Sequence, residues 1–304
     1  MQGTHDTSGA ALAISVPATD SYELAAAHAR PSQPNGRVVL VNSALGVPHA
    51  YYARYAERLA VRGFDVLSYD YRGIAGSRPA RLRGFKARAA DFASHDYEGM
   101  LRHALALRER RAREGLPAKL LVVGHSIGGQ IAALAPSATE VDALMLVGAQ
   151  IGDWRLWPHP RRAGIWLFAH ALLPAVSHAV GFFPGRALRL GEDLPAGVAQ
   201  EWARWMRTPG YYTGHHRADP GGPARLAAIK AFRAPVLAWC IADDGYAPPQ
   251  ATEALLSLFE STQVERRRPS PSQLGVARIG HFGFFRERFA GTLWQDSADW
   301  LASA

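Results

Sequence analysis

Short apolar runs alternate with segments of helical periodicity through the first half of the chain. Four of the runs predict strands that are buried on both faces: residues 38–41, 64–69, 119–123 and 143–147. Two opening strands are predicted at residues 12–16 and 22–29, and helices at residues 49–62 and 91–113. This alternation predicts an α/β fold, in which helices cover both faces of a mostly parallel central sheet.

The pattern changes near Gln150. From there to about Ala224 the chain is rich in aromatic, proline and glycine residues, so we predict short helices with irregular connections and no strand. The alternation then resumes with a strand at 235–241, a helix at 250–259, a strand at 264–268 and a helix at 284–301. We therefore predict a core formed by residues 1–150 and 225–304, into which residues 151–224 are inserted as a helical lid.

The motif Gly124-His125-Ser126-Ile127-Gly128 follows the third buried strand and precedes a small-residue helix at 129–135. Strand, G-x-S-x-G and helix in this order are typical of a nucleophile elbow, a tight turn that presents a serine hydroxyl above a parallel sheet. The two flanking glycines are expected because side chains there would collide with the neighbouring strand or helix. We therefore predict Ser126 as a nucleophile at the carboxyl edge of the sheet, where ligands bind.

A serine nucleophile needs a histidine base and a carboxylate that orients it, and in this arrangement the chain order is serine, acid, histidine. The strand at 235–241 is followed by Asp243 and Asp244, and these residues alone do not decide which is the acid. Downstream, His281 lies between glycines before the last predicted helix and is the predicted base. His125, inside the elbow, is expected to lie beside the site.

An acyl-transfer intermediate also needs two backbone N–H donors for its oxyanion. Ile127 follows the nucleophile and is expected to supply one, and the loop after the first buried strand should supply the other from Ala44 or its neighbour Leu45. The aromatic content of the insertion suggests an apolar substrate group. The predicted substrate-binding residues are Leu45, Trp154, Trp205 and Tyr246.

Composition narrows the remaining classes of function and location. The 304 residues carry a formal net charge of +8, but the positive residues are nearly all arginine and are dispersed, so nucleic-acid binding is not expected. One cysteine excludes an internal disulfide, and neither a signal peptide nor a long apolar run is found, so we expect a cytoplasmic chain without stable membrane insertion. No metal cluster or phosphate loop is visible, and no metal or cofactor is predicted.

Further residues resemble the α/β-hydrolase superfamily over nearly the whole chain. Residues 63–73 are similar to its G-F-x-V-x-x-x-D-x-R-G stretch, Asp244 and Pro248 match a D-x-x-x-P pattern, and His281 matches the G-H before the closing helix. The chain looks closest to a poorly characterised bacterial subgroup near serine aminopeptidases and monoacylglycerol lipases. The resemblance implies Asp244 as the catalytic acid, whereas Asn42-Ser43 departs from the usual His-Gly of the oxyanion loop.

The leading hypothesis is a serine hydrolase of class EC 3.1.1 that cleaves a small-molecule carboxylic ester through an acyl-enzyme. A proline-type aminopeptidase would need an acid for the substrate amine, and the candidates are Glu192, Asp193 and Glu201. An acyltransferase would use the same triad with an alcohol as acceptor. A non-catalytic receptor on the same fold is the alternative from a different class, and the sequence leaves the oligomeric state open.

Overall fold

The computed structural model describes residues 11–304, which contain one eight-stranded sheet and a separate two-stranded ribbon. The strands are β1 (Ala11–Pro17), β2 (Glu23–Ala29), β3 (Arg37–Asn42), β4 (Asp65–Tyr69), β5 (Lys119–His125), β6 (Ala143–Val147), β7 (Phe182–Phe183), β8 (Leu194–Pro195), β9 (Val236–Trp239) and β10 (Val264–Arg267). The sheet order is β1-β2-β4-β3-β5-β6-β9-β10. Within this sheet β2 runs opposite to the other seven strands, so the predicted α/β class with a mostly parallel sheet is confirmed.

Helices cover both faces of the sheet. They are α1 (Ala53–Val61), α2 (Glu98–Arg113), α3 (Ile127–Gln130), α4 (Arg161–Leu167), α5 (Leu173–Val180), α6 (Ala196–Arg207), α7 (Gly222–Ala231), α8 (Pro249–Leu256), α9 (Gly280–Gly283) and α10 (Leu293–Ser303). On β5, Leu120 and Val122 belong to the apolar layer that includes α2 and α8, whereas Leu121 and Val123 belong to the layer that includes α1 and α10. Alternate side chains of the central strands are thus buried on opposite faces.

The helix after the elbow is shorter than predicted. It ends at Gln130, whereas the sequence predicts a helix to residue 135. Ala135 has extended backbone because it precedes Pro136, and proline disfavours a helical residue before it. The carbonyl of Gln130 accepts a hydrogen bond from the Tyr212 hydroxyl at 3.0 Å, so a tertiary contact satisfies a group that a longer helix would have used.

The last helix also begins later than predicted, at Leu293 rather than residue 284. The Trp294 indole N–H donates to the Phe284 carbonyl at 2.6 Å, which occupies an acceptor that a continuous helix would need. Phe284, Phe285 and Phe289 are all buried in the layer under α10. A compact turn places these three rings in the core. A continuous helix would not, because two consecutive residues such as Phe284 and Phe285 do not lie on the same helix face.

The segment between β6 and β9 contributes no strand to the main sheet within the described residues. It carries α4, α5 and α6, but also the β7–β8 ribbon, so the prediction of no strand there was wrong for these four residues. The segment contacts the core through an ion pair between Arg78 and Asp193 (2.7 Å) and a hydrogen bond from the Ala90 amide to Glu201 (2.9 Å). Its division from the core at residues 151–224 remains a prediction.

One helical stretch in the insertion is long and apolar. Residues Arg161–Val180 form twenty consecutive helical residues with a mean hydropathy of 1.4 in the most apolar window, of which only 17% is buried. Trp166 and Leu167 are among its exposed side chains. By length and composition alone this helix is sufficient to cross a membrane, which the search for an uninterrupted apolar run in the sequence did not detect.

Candidate active site

Ser126 occupies a strained turn between β5 and α3. Its φ of 54° lies in the left-handed region, and its amide donates to the Val147 carbonyl at 3.0 Å. A Cβ on Gly124 would lie 2.5 Å from Gly129 Cα, and one on Gly128 would lie 2.3 Å from the Asn42 carbonyl oxygen. Backbone approaches this close exclude any side chain at either position, as expected from the motif.

The structure separates the two adjacent acids. The Asp244 carboxylate lies 2.7 Å from His281 Nδ1, and its other oxygen accepts hydrogen bonds from the amides of Tyr246 and Ala247 at 2.8 and 3.0 Å. Asp244 and His281 are both buried, each with 6% of its surface exposed. The carboxylate thus holds Nδ1–H and leaves Nε2 of the imidazole as the acceptor, the tautomer that a general base needs.

Asp243 has a different position. Its two carboxylate oxygens accept hydrogen bonds from the amides of Ile279 and Gly280, at 3.0 and 2.9 Å. These residues immediately precede His281, so Asp243 anchors the turn that carries the histidine and does not contact the imidazole itself. Two consecutive aspartates therefore support one histidine, one through its ring and the other through its backbone.

Gly148, which follows β6, adjoins both members of this pair. A Cβ there would lie 3.0 Å from Asp244 Oδ2 and 3.1 Å from His281 Nδ1, and the residue has a φ of +56°. Sequence reasoning missed this position, although a glycine at the carboxyl end of a buried strand is a usable signal. Its missing side chain leaves the space in which the carboxylate meets the imidazole.

His125 belongs to a buried hydrogen-bond chain behind the site. The Ala44 amide donates to the Tyr52 hydroxyl at 2.9 Å, which in turn donates to His125 Nδ1 at 2.8 Å. His125 Nε2–H then donates to the carbonyl of His281 at 3.0 Å. Burial holds the pKa of His125 well below its usual 6.5, consistent with a neutral ring that accepts at one nitrogen and donates at the other.

The same hydrogen-bond chain contradicts the prediction that the Ala44 amide is an oxyanion donor. Because the Ala44 amide is already directed at the buried Tyr52 hydroxyl, it is not free to bind an oxyanion. The next amide in the loop is that of Leu45, and within residues 11–304 neither this amide nor that of Ile127 donates to a protein acceptor. Both residues line the cavity beside Ser126, which makes them the available pair of donors.

Ser126 and His281 line a cavity of about 550 Å³ that lies between the core and the insertion. Leu45 and Tyr246, two of the four predicted substrate-binding residues, line it, but most of its apolar wall comes from insertion residues outside that prediction. These are Trp157, Ile165, Phe168, Phe183, Leu190, Leu194, Trp202, Met206 and Tyr211. The volume falls in the range of sites for small organic ligands.

Trp154 and Trp205 were expected in this wall and do not line it. The indole of Trp205 donates to Asp219 at 2.6 Å and is buried elsewhere, and Trp154 packs against the side chains of Arg155 and His170. Trp202 lies three residues before Trp205 on α6, about 60° around the helix, and that rotation points it into the cavity. Aromatic composition indicated an apolar wall without indicating which helix face forms it.

Within residues 11–304, no group of three or more His, Cys, Asp or Glu side chains is arranged to hold a metal ion. The single cysteine, Cys240, is half-buried next to β9, and burial raises the pKa of its thiol.

Solved structures with a similar fold match 92–100% of the chain. A soluble variant of monoglyceride lipase from Saccharomyces cerevisiae, in complex with a substrate analogue, is 16% identical with a TM-score of 0.62, covering 100% of this chain and 98% of the other. A monoacylglycerol lipase from Paleococcus ferrophilus is 15% identical with a TM-score of 0.55, covering 92% and 99%. The esterase EaEST from Exiguobacterium antarcticum is 14% identical with a TM-score of 0.54, covering 96% and 100%.

At these identities the similarity establishes the fold alone. A search of curated protein sequences gave no match. The sequence profile of the Alpha/beta hydrolase family, however, matches residues 38–292, which is most of the chain. The chain therefore belongs to the alpha/beta hydrolase family.

Proposed function

We propose that this protein is a serine hydrolase that cleaves a carboxylic ester through an acyl-enzyme. The observation that supports this most directly is the buried hydrogen bond between Asp244 and His281, because His281 lines the same cavity as Ser126. A serine in a strained turn and a histidine oriented by a carboxylate are together the parts that nucleophilic acyl transfer requires.

In the proposed reaction, the Ser126 hydroxyl attacks the ester carbonyl while His281 Nε2 accepts its proton. Asp244 stabilises the imidazolium that forms, and the amides of Ile127 and Leu45 bind the oxyanion of the tetrahedral intermediate. His281 then returns the proton to the departing alcohol. Water adds to the acyl-enzyme by the same steps in reverse and releases the acid.

The cavity wall supports an apolar acyl group as the part of the substrate that is bound. Phe168 packs edge to face against both Phe183 and Trp202, so this part of the wall is formed by rings that fix one another's positions. The wall contains few charged residues, and burial of an acyl chain against it is favourable by about 25 cal/mol per Å² of apolar area. An ester with an aliphatic acyl chain fits this lining better than a peptide does.

The acids that an aminopeptidase would need are largely engaged elsewhere. Asp193 pairs with Arg78, and Glu201 accepts the Ala90 amide, so neither is available for a substrate amine. Glu192 lines the cavity but pairs with Arg186. The aminopeptidase alternative is therefore less well supported than ester hydrolysis.

Labelling with a fluorophosphonate probe tests the proposal, with intact mass as the readout. Wild-type protein should gain one adduct, and Ser126→Ala and His281→Ala should gain none. Ser257→Ala removes an exposed serine outside the cavity and serves as the matched control that should label like wild type. A folded wild type that does not label would refute an activated serine and favour a ligand receptor on the same fold.

Esters of graded acyl length then test the apolar wall. We expect kcat/KM to rise with chain length until the cavity is filled, and Trp202→Ala to reduce the gain for the longer chains. Adding alcohol acceptors in the same assay separates hydrolysis from acyl transfer, because a transferase would form a new ester in preference to the free acid.

A further inference from the structure

A second cavity, of about 730 Å³, adjoins the first at His281. The two cavities share four lining residues: Ile165, Tyr246, His281 and Phe282. The proposed proton carrier thus lies at a junction, with the apolar wall of the insertion on one side and a separate chamber on the other. A substrate that is cleaved at Ser126 has room for a group in each.

The lining of the second cavity is strongly positive. Four arginines line it, and no acidic residue does: Arg161, Arg278, Arg286 and Arg288. Within residues 11–304 none of the four has a carboxylate partner, and Glu287, which separates two of them in the chain, does not line the cavity. Four guanidinium groups without a carboxylate partner around one concave site create a local potential that attracts anions.

Two of the guanidinium groups are placed beside the catalytic pair by glycines. A Cβ on Gly245 would lie 2.0 Å from Arg161 Nη1, so the arginine occupies space that any side chain next to Asp244 would fill. Similarly, a Cβ on Gly280, the residue before His281, would lie 3.1 Å from Arg278 Nε. The positive charge therefore lies next to the turns that carry Asp244 and His281.

The other two arginines extend the charge around the opening. Arg288 donates to the Arg278 carbonyl, which holds it close to that residue. Arg286 lies near Tyr51, which lines the first cavity, and its charge opposes the rise in the pKa of the Tyr51 phenol that burial causes. The arginines thus reach from the second cavity to the edge of the first.

We propose that this arginine-lined cavity binds a phosphate group on the leaving alcohol of the substrate. The inference rests on the proposed ester hydrolysis and adds its substrate class: a phosphate-bearing ester with an apolar acyl chain. His281 protonates the leaving oxygen, so the leaving group must lie next to His281, and the arginine-lined cavity adjoins that position. Several guanidinium groups suit phosphate because each presents a planar fork of N–H donors to its oxygens.

The reaction stays balanced without further reactants. Ser126 forms a bond to the acyl carbon, the bond from that carbon to the leaving oxygen breaks, and the serine proton passes through His281 to the leaving oxygen. The phosphate remains intact on the released alcohol. Water then takes the acyl group and restores the serine.

A matched pair of soluble substrates tests the inference: 1-butyrylglycerol and 1-butyrylglycerol 3-phosphate, which differ only in the phosphate. Wild type should prefer the phosphate ester by at least about tenfold in kcat/KM, comparable to the loss of one charge-assisted hydrogen bond. In R278Q/R286Q that preference should fall by at least about tenfold. R233Q changes an exposed arginine just before β9, at the opposite edge of the sheet, and should keep the wild-type preference.

Failure of this inference is distinguishable from failure of the proposed function. Fluorophosphonate labelling together with equal turnover of both esters would overturn the phosphate site and leave the hydrolase proposal intact. If wild type neither labels nor turns over either ester, the phosphate site is tested separately by calorimetry, which measures binding of glycerol 3-phosphate to the full-length protein. Binding that is lost in R278Q/R286Q and kept in R233Q would support the site, and no binding would refute it.

A membrane surface is the competing source of negative charge, because the exposed helix Arg161–Val180 adjoins the cavity. The short butyryl esters dissolve as monomers, so an assay with them contains no lipid surface. If R278Q/R286Q behaves like wild type on the soluble pair but loses binding to vesicles of phosphatidylglycerol and phosphatidylcholine, the arginines serve a lipid surface and the leaving-group site is refuted.

Discussion

Replacement of Gly148 by alanine should damage catalysis far more than stability. The new Cβ would lie 3.0 Å from Asp244 Oδ2, 3.1 Å from His281 Nδ1 and 3.2 Å from His281 Cε1. Each distance is a few tenths of an ångström shorter than an ordinary contact, so the carboxylate and the imidazole must shift away from the new methyl group. A shift of that order in a catalytic group costs up to about 10²-fold in rate, and we expect kcat on a short-chain ester to fall by roughly 10- to 100-fold.

The backbone contributes a separate cost that the experiment must subtract. Gly148 has a φ of +56°, and forcing alanine into that region costs about 1–2 kcal/mol. Gly275 has a φ of +62° with nothing within 4 Å of its added Cβ, so Gly275→Ala carries the same backbone cost without the contact. Urea unfolding should therefore show comparable destabilisation of the two variants, while kcat falls only in Gly148→Ala.

Three results would refute this reasoning. Wild-type kcat in Gly148→Ala would mean that the pair tolerates the methyl group or does not act in catalysis. An equal loss of kcat in Gly275→Ala would trace the effect to stability instead of the site. Recovery of wild-type activity by lowering the temperature would also point to stability.

Three further predictions concern the groups around the site and the fold. Asp244→Asn should lower kcat by about 10⁴-fold because it leaves His281 in the wrong tautomer, whereas Asp243→Asn should lower kcat far less. Steady-state kinetics of both variants would measure the two losses, and a larger loss in Asp243→Asn would identify Asp243 as the acid. Tyr52→Phe breaks the link between Ala44 and His125, so kcat should fall while KM changes little; equal changes in both would contradict a positioning role. Burial disfavours the charge on Asp65, but hydrogen bonds from His28 and Arg111 outweigh this effect and hold the pKa of Asp65 below its usual 3.8. The contribution of Asp65 to stability is therefore complete above pH 3.8 and is lost as the pH falls through the lowered pKa. Asp65→Asn should cost about 3–5 kcal/mol at neutral pH and flatten the acid limb of urea unfolding measured against pH, and an unchanged limb would contradict this.

Much of the fold was determined by local features of the sequence. A buried strand needs a short apolar run and a covering helix needs a 3.6-residue period, and both patterns lie within about ten to twenty consecutive residues. The elbow motif is contained in five consecutive residues and Gly124 is required by an approach of Gly129 in the same turn, although Gly128 is required by the Asn42 carbonyl of the adjacent strand β3. The chain order of serine, acid and histidine depends only on the order of the strands. These features predicted the sheet and brought Ser126, the two aspartates and His281 to one edge.

The tertiary structure decided which atoms of those residues meet. Asp243 and Asp244 are chemically identical and adjacent, and only the path of the distant 279–281 turn directs one to the backbone and the other to the imidazole. The Ala44 amide is excluded as an oxyanion donor by the Tyr52 hydroxyl, which no pattern near Ala44 reveals.

The cavity walls depended on tertiary packing in the same way. A rotation of about 60° on α6 separates Trp202, which lines the apolar cavity, from Trp205, which does not. The four arginines come from two segments more than a hundred residues apart, so their clustering is invisible in a chain where arginine looks dispersed. Periodicity and turn chemistry are short-range and can be predicted from the chain, but the direction of a side chain is set by neighbours that only folding brings together.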